Sequence, residues 1–439
     1  MSDIEVAPAH PTSLEPAPGE RRVRAWVVTG LLVVLMMINF ADKSVLGLAA
    51  DPIRRDLGLS ATAYGLANSA FFLLFSISTL AVGFAADRVR PRWLLLGMAL
   101  LWSLAQLPLA LGGGVALLFA SRILLGAAEG PAFPVAEHSA LSYFTDARRN
   151  LPSALILSGT ALGVIVSAPT LTWLIDHHGW RAAFGAVGIA GFVWAAAWLA
   201  FGSEDRGARK PERPPTRTPA GPMPASDIAP VGYRRICATR TWIGATVAYF
   251  CTYWVVALSL VWIPSYLHDA VGYTAASAAS LVAGIWAVNT VVILGHGALA
   301  GRLLRRGVEG RWVRARFGAL ALTVAGLAAF ALAFLGRDPA FALVLVLGIG
   351  FAGVMVTIAV TTVAQLAPPS RRAGALSVMN ALATLSGLIA PALVGHLVDA
   401  HGAGGYREAL ELTGVILLVG ALAAAALVDP ARDARRLAR

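Results

Sequence analysis

Long apolar runs govern what this 439-residue chain can fold into. About 18 uncharged residues are enough for a helix to cross the hydrocarbon core of a bilayer. Twelve candidates meet that length, over 25–50, 62–86, 93–112, 115–138, 150–175, 182–202, 241–267, 274–300, 317–336, 339–366, 373–397 and 409–428. They are numbered span 1 to span 12 here; spans 1 and 4 contain charges and are read as spans despite them. No alternation of apolar and polar residues is present, so helices are expected rather than a barrel. Charged residues are 13% of the chain, about half the ~25% usual for a soluble domain. A water-soluble enzyme of this size could not cover its surface with so few. Apolar residues are 57% of the total, which excludes disorder over most of the length. Two cysteines, Cys237 and Cys251, exclude a disulfide scaffold and a cysteine-ligated metal cluster. The expected class is an all-α membrane protein.

Orientation follows from Arg and Lys. With the N-terminus inside, the inner segments hold 28 of the 35 basic residues and the outer segments five. Both termini are therefore expected in the cytoplasm, with the protein multi-pass in a bacterial inner membrane. The net charge of +11 then reflects an inner face beside anionic lipid and calls for no nucleic acid. The expected division is a disordered tail at 1–24, a six-helix bundle at 25–202, a Pro-rich basic linker at 203–240, a second six-helix bundle at 241–428 and a tail at 429–439. A repeat supports two pseudo-symmetric halves. Arg148-Arg149 through Asp176-His177-His178-Gly179 matches Arg371-Arg372 through Asp399-Ala400-His401-Gly402 at an offset of 223 residues. Repeated halves are what a transporter that rocks about a midplane site requires.

Four acidic or basic residues lie deep within spans, well away from their ends: Asp42 and Lys43 in span 1, Arg122 and Glu129 in span 4. Charges at bilayer depth cost about 2.5–3.5 kcal/mol each to insert, so they are functional candidates. Asn39 precedes Asp42 and Lys43 by three and four residues, which sets the three on one broad side of a helix. Arg122 and Glu129 are two turns apart on one face, about 10 Å along the axis. A carboxylate substrate needs a fixed cation, and Arg122 suits that role, with Lys43 as a second. A proton-coupled carrier needs a carboxyl that takes and releases a proton as its surroundings change; Asp42 and Glu129 are the candidates. The competing reading is a pair of internal salt bridges tying span 1 to span 4. Tyr64, Tyr253, Asn289 and Asn380 are further candidates to line a substrate pocket. Tyr249 and Tyr253, four apart, with Trp254 and Trp262 on the same helix, suit either an aromatic wall or helix packing. His296 is read as a packing residue, and Gly159 and Gly163 as a close helix contact. His177, His178 and His401 lack metal-site spacing. No phosphate-binding Gly loop with Lys-Ser/Thr is present, so no ATP drive and no cofactor are expected.

Gly83-Phe84-Ala85-Ala86-Asp87-Arg88, followed by Val89-Arg90-Pro91-Arg92, resembles the loop signature of the major facilitator superfamily. Arg90 stands where that signature has a second Gly, and Pro91 where it has the first basic residue. Asn39-Phe40-Ala41-Asp42-Lys43-Ser44 is similar to a span 1 motif of the anion:cation symporter group, with Lys43 where Arg is usual. Ser121-Arg122 through Glu129-Gly130-Pro131-Ala132-Phe133-Pro134 matches that group's span 4. Gly179-Trp180-Arg181-Ala182-Ala183-Phe184 and Trp262-Ile263-Pro264-Ser265-Tyr266-Leu267 agree as well. The resemblance implies a twelve-helix fold acting as a monomer, and a carrier of small organic anions (sugar acids, aromatic acids or dicarboxylates) driven by protons, with Na⁺ the alternative ion. It also points to Asp42 and Glu129 for proton coupling. Gly83, Asp87, Arg88 and Arg92 are expected to form a cytoplasmic latch of the outward-open state. The alternative is a drug or metabolite efflux antiporter; Ala168-Pro169-Thr170 in span 5 lacks the paired glycines such carriers show after their Gly-Pro. A membrane enzyme or sensor finds no nucleophile–base arrangement to support it.

Overall fold

The computed structural model describes residues 18–85, 89–144, 150–202, 232–337 and 339–437. Among them there is no strand. Twelve helices are long and apolar enough to cross a membrane: Arg22–Leu48, Ala61–Val82, Pro91–Ala110, Val115–Ala140, Leu151–His178, Trp180–Phe201, Arg240–Val261, Ala275–Arg305, Arg311–Leu332, Pro339–Leu366, Gly374–His401 and Ala403–Leu427. These are spans 1 to 12 in the same order, as the hydrophobic runs require.

Their ends move where local chemistry differs from hydropathy. The first helix starts at Pro18, inside the stretch read as a disordered tail, and residues 1–17 lie outside the described set. Span 7 stops at Val261 rather than 267, because Pro264 cannot donate to the preceding turn. Span 12 begins at Ala403 rather than 409. Its early charges are paired on the helix surface, Arg407 Nε with Glu411 Oε1 at 3.0 Å and His401 Nδ1 with Glu408 Oε2 at 2.9 Å. Most of the linker, 203–231, lies outside the described residues, but Tyr233–Cys237 is helical. The C-terminal segment folds back as the helix Pro430–Leu437. Its buried Asp433 accepts from the backbone N–H of Thr241 (2.8 Å) at the start of span 7. Burial alone would raise that carboxyl, but the hydrogen bonds from Arg432 and Thr241 outweigh it and hold it below the usual range.

The internal repeat has a physical basis. Spans 5 and 11 each end in a glycine with left-handed φ, +82° at Gly179 and +58° at Gly402, and the next span starts at once. A residue with a Cβ would be strained there. The halves meet along span 2 against span 11, span 5 against span 8, and span 1 against span 7. On the side away from the termini the seam is shut. Gly65 lies against the Pro391 carbonyl and Gly395 against that of Ala61, so no side chain separates spans 2 and 11. Asp399 adds hydrogen bonds across the seam, accepting from Ala61 N (2.8 Å) and Thr62 N (2.7 Å) at the start of span 2.

Candidate functional site

A cavity of about 590 Å³ lies between the two halves. Glu137, Ser153, Thr361 and Leu376 line its end nearest the termini, so it extends toward that side while the opposite face is closed. Asn39 and Lys43, one turn apart on span 1, both line it. Glu129 reaches it from span 4, held close to span 2 because Gly126 and Gly130 pack on the carbonyls of Phe71 and Phe75.

Lys43 Nζ and Glu129 Oε2 form an ion pair at 2.7 Å, with side chains 7% and 0% exposed. Lys43 also donates to Asn39 Oδ1. The ammonium sits over Phe40 at 4.7 Å, with Phe75 at 5.5 Å and Phe71 at 5.7 Å. Aromatic faces favour a cation in such a poorly hydrated place.

Asp42 and Arg122 form the second pair, Nη2 to Oδ1 at 3.6 Å, and Gln106 donates to the same Asp42 oxygen. Both are buried, and neither lines the cavity. Asp42 is one residue round the helix from Lys43. Arg122 is two turns nearer the closed side than Glu129, with its guanidinium 5.8 Å from the Phe184 ring. The four ions therefore make one buried cluster in which Asp42 also lies beside Glu129. Its Lys43–Glu129 side lines the cavity, its Asp42–Arg122 side lies inside the first bundle, and among the described residues the cation on the cavity wall is Lys43.

The second half supplies a neutral wall. Tyr249 donates to Asn380 Oδ1 (2.8 Å), and Tyr253 stands edge-to-face to Tyr249 at 6.2 Å and to Phe72 at 5.9 Å. Asn289 lies on the same wall, and Trp286 packs edge-to-face on Phe40 at 5.5 Å. Trp254 and Trp262 are turned away, donating to Thr413 Oγ1 (3.1 Å) and the Pro391 carbonyl (2.9 Å). Tyr64 is also off the cavity. It is fully buried, donates to the Leu46 carbonyl and packs on Trp262 at 5.7 Å. His296 is packed against Phe317 with its Nε2 2.9 Å from the Val313 carbonyl, and Gly159 and Gly163 pack on span 1.

Of the expected latch, Asp87 and Arg88 lie outside the described residues, and Gly83 lies near the end of the span 2 helix. Arg92 donates to the Leu199 carbonyl (3.0 Å), a contact within the first bundle. The Gly179-Trp180-Arg181 motif has a structural partner: Arg181 pairs with Asp56 at 2.5 Å and Trp180 Nε1 donates to the same carboxylate (3.2 Å). The Arg181 hydrogen bond holds the Asp56 carboxyl below its usual range.

At the closed side, His268 Nδ1 lies 3.2 Å from Asp51 Oδ2 and 2.9 Å from Asp269 Oδ1. These three are the grouping with cation-ligand spacing among the described residues. Burial, with Asp269 beside it, pushes the Asp51 carboxyl up from 3.8 to about 6.

Several lining residues were not singled out from sequence: Phe40, Phe75, Phe133, Trp286 and Glu137. Two had a visible signal. Glu137 is a carboxylate on span 4 two turns beyond Glu129, and Trp286 precedes Asn289 by one turn.

A family model described as Major Facilitator Superfamily matches residues 32–364 and 316–439. The chain is 27% identical over 414 residues to a probable sulfoacetate transporter of Cupriavidus necator, covering 90% of this chain and 92% of that one. It is 26% identical over 445 residues to a probable galactarate/D-glucarate transporter of Bacillus subtilis, covering 95% and 93%. It is 27% identical over 397 residues to a hexuronate transporter of the same organism, covering 90% and 92%. Among solved structures, a bacterial homolog of the human lysosomal transporter Spinster, in an inward-facing and unoccupied conformation, superposes with a TM-score of 0.74 at 18% identity, covering 96% of this chain and 99% of that one.

Proposed function

This chain belongs to the major facilitator superfamily, and from that premise we propose that it carries a small organic acid anion into the cell by proton-coupled symport. The observation that carries the reading is the Lys43–Glu129 pair at 2.7 Å, buried and set on the cavity between the halves. With Asp42 and Arg122 it makes a buried cluster of two cations and two carboxylates. An anion that takes Lys43 adds one negative charge to a site of low dielectric, and a proton on Glu129 restores the balance. Anion and proton then enter together. Relatives named for sulfoacetate, galactarate and hexuronate, all acids, support the substrate class.

The reading includes alternating access. In the form described here the cavity reaches toward the termini, and this reading takes those to be cytoplasmic on the strength of the basic-residue asymmetry. Opening the seam at Asp399 and closing the terminus side would expose the same pair to the other compartment. Asp42 and Arg122 then act as a fixed partner pair that orients span 1 against span 4. The protein is a monomer of the cell membrane in this reading.

Reconstituted protein tests it. Glucuronate, galactarate, sulfoacetate and 4-hydroxybenzoate are screened for a rise in melting temperature at two pH values. Uptake of the best of them is then driven by an inward proton gradient. Wild type concentrates the acid and stops when the gradient is collapsed. Glu129→Gln exchanges internal for external acid and does not concentrate it. Concentrative uptake by Glu129→Gln overturns the coupling role.

A further inference from the structure

Resting on that anion-carrier reading, we infer that the preferred substrate is an aromatic monocarboxylate, its carboxylate on Lys43 Nζ and the Asn39 amide and its ring between Phe40, Phe75, Tyr253 and Trp286. Three observations carry this.

The first is charge. Among the described residues Lys43 is the cation lining the cavity, and Glu129 and Glu137 are carboxylates lining it too. The neutral wall from the second half offers Tyr249, Tyr253, Asn289 and Asn380 and no cation among the described residues. One carboxylate of a substrate has a partner; a second would face either a neutral wall or Glu137.

The second is the state of the hydrogen-bond donors. The lining hydroxyls of Thr79, Thr252, Ser259 and Thr361 donate to carbonyls of their own helices at 2.7–2.8 Å. Ser153 donates to Glu137 and Tyr249 to Asn380. A sugar acid brings several hydroxyls, each needing a partner as it leaves water; the hydroxyls just named are committed, and Tyr253, Asn289 and the Asn380 amide of the second half remain to meet them. Among the described residues, two buried lining donors have no partner, Asn39 Nδ2 and Trp286 Nε1. Asn39 is 3% exposed, and its Oδ1 is engaged by Lys43. That leaves the amide N–H₂ beside the ammonium, two donors for the two oxygens of one carboxylate. The indole N–H of Trp286 comes from the facing bundle and suits a hydroxyl or carbonyl on a ring.

The third is the shape of the walls. Phe40 touches both Lys43 and Trp286, with centroid distances of 4.7 Å to the ammonium and 5.5 Å to the indole. Phe75 and Tyr253 line the cavity from the two halves. A flat ring fills a slot between such rings with edge and face contacts that a puckered, hydroxylated chain does not make.

The test uses full-length protein in liposomes with 4-hydroxybenzoate, cyclohexanecarboxylate, glucuronate and galactarate, reading half-saturation of uptake and the shift in melting temperature. The expected result is half-saturation by 4-hydroxybenzoate at least about tenfold below glucuronate and galactarate, and about threefold below cyclohexanecarboxylate. Trp286→Leu and, separately, Phe40→Leu should each weaken 4-hydroxybenzoate about tenfold and by a larger factor than they weaken glucuronate. Two variants on opposite bundles guard against loss of fold in one. Preference for glucuronate or galactarate overturns the aromatic assignment and leaves the anion carrier standing. Equal use of cyclohexanecarboxylate overturns the role of the rings alone. If none of the four is bound or moved, both this inference and the anion-carrier reading fail.

Discussion

The two halves share one fold and divide the labour. The first half holds the ions buried within the spans: Asp42, Lys43, Arg122 and Glu129. The second half faces them with Tyr249, Tyr253, Trp286, Asn289 and Asn380, all neutral. Repetition of helices with left-handed glycine ends sets the architecture, and it does not oblige the halves to do the same chemistry. The asymmetry suits a carrier in which one bundle manages charge and the other recognises the uncharged body of the substrate.

The largest test of that contrast is Lys43→Ala. It strands Glu129 as an unpaired buried carboxylate and should destabilise the protein by about 3–5 kcal/mol, read as a fall in melting temperature, with anion uptake lost. Replacing both partners with apolar residues, Lys43→Met with Glu129→Leu, should recover most of the stability and none of the transport. Recovery of transport in the double variant would reduce the pair to a structural tie.

A smaller effect is expected from the neutral wall. Asn289→Ala or Tyr253→Phe should weaken substrate by about 1 kcal/mol, seen as a several-fold rise in half-saturation. The ratio of protons to anions carried should not move. A changed ratio in either variant would break the separation between the halves.

The repeat itself offers a third comparison. Asp399 caps span 2 of the opposite bundle, whereas its counterpart Asp176 is exposed, and span 8 is capped by its own Thr274 through Ser277 N (3.2 Å). Asp399→Asn should favour opening of the seam by about 0.5–2 kcal/mol, and Asp176→Asn should not. Labelling of a cysteine placed at Val261, buried in the closed seam, measures both.

The smallest effect concerns acidity at the closed side. Asp51 faces His268, Asp269, Arg54, Tyr406 and Tyr64. Its carboxyl, raised from 3.8 to about 6 in the closed form, binds a proton more tightly there than it would in water. The closed form therefore gains most below pH 3.8 and loses that contribution as pH rises through about 6. Asp51→Asn should flatten the pH dependence of Val261 labelling over that window.

Most of the fold was legible in the sequence because bilayer length and uncharged runs leave one solution, and because a glycine beyond spans 5 and 11 marks both repeats. The charged residues were legible for a similar reason, since burial in a membrane makes an ion conspicuous. What sequence could not rank was which ions meet the cavity. Arg122 and Lys43 are equally buried candidates until the seam is known. The closed side covers the level of Arg122 and leaves Lys43 at the wall. Phe75 carries no signal of its own because an aromatic residue in a span is ordinary and only the facing bundle gives it a role; Trp286 shows only as a neighbour one turn from Asn289. Tyr64 looked equally suitable and instead packs on Trp262.

Proton uptake on binding tests the central claim most directly. The acid that stabilises the purified protein most is added to wild type and to Glu129→Gln in weakly buffered solution, and released or absorbed protons are counted against bound acid. The account predicts about one proton taken up per anion by wild type and none by Glu129→Gln. Binding without proton uptake in wild type, or the same uptake in the variant, would contradict it.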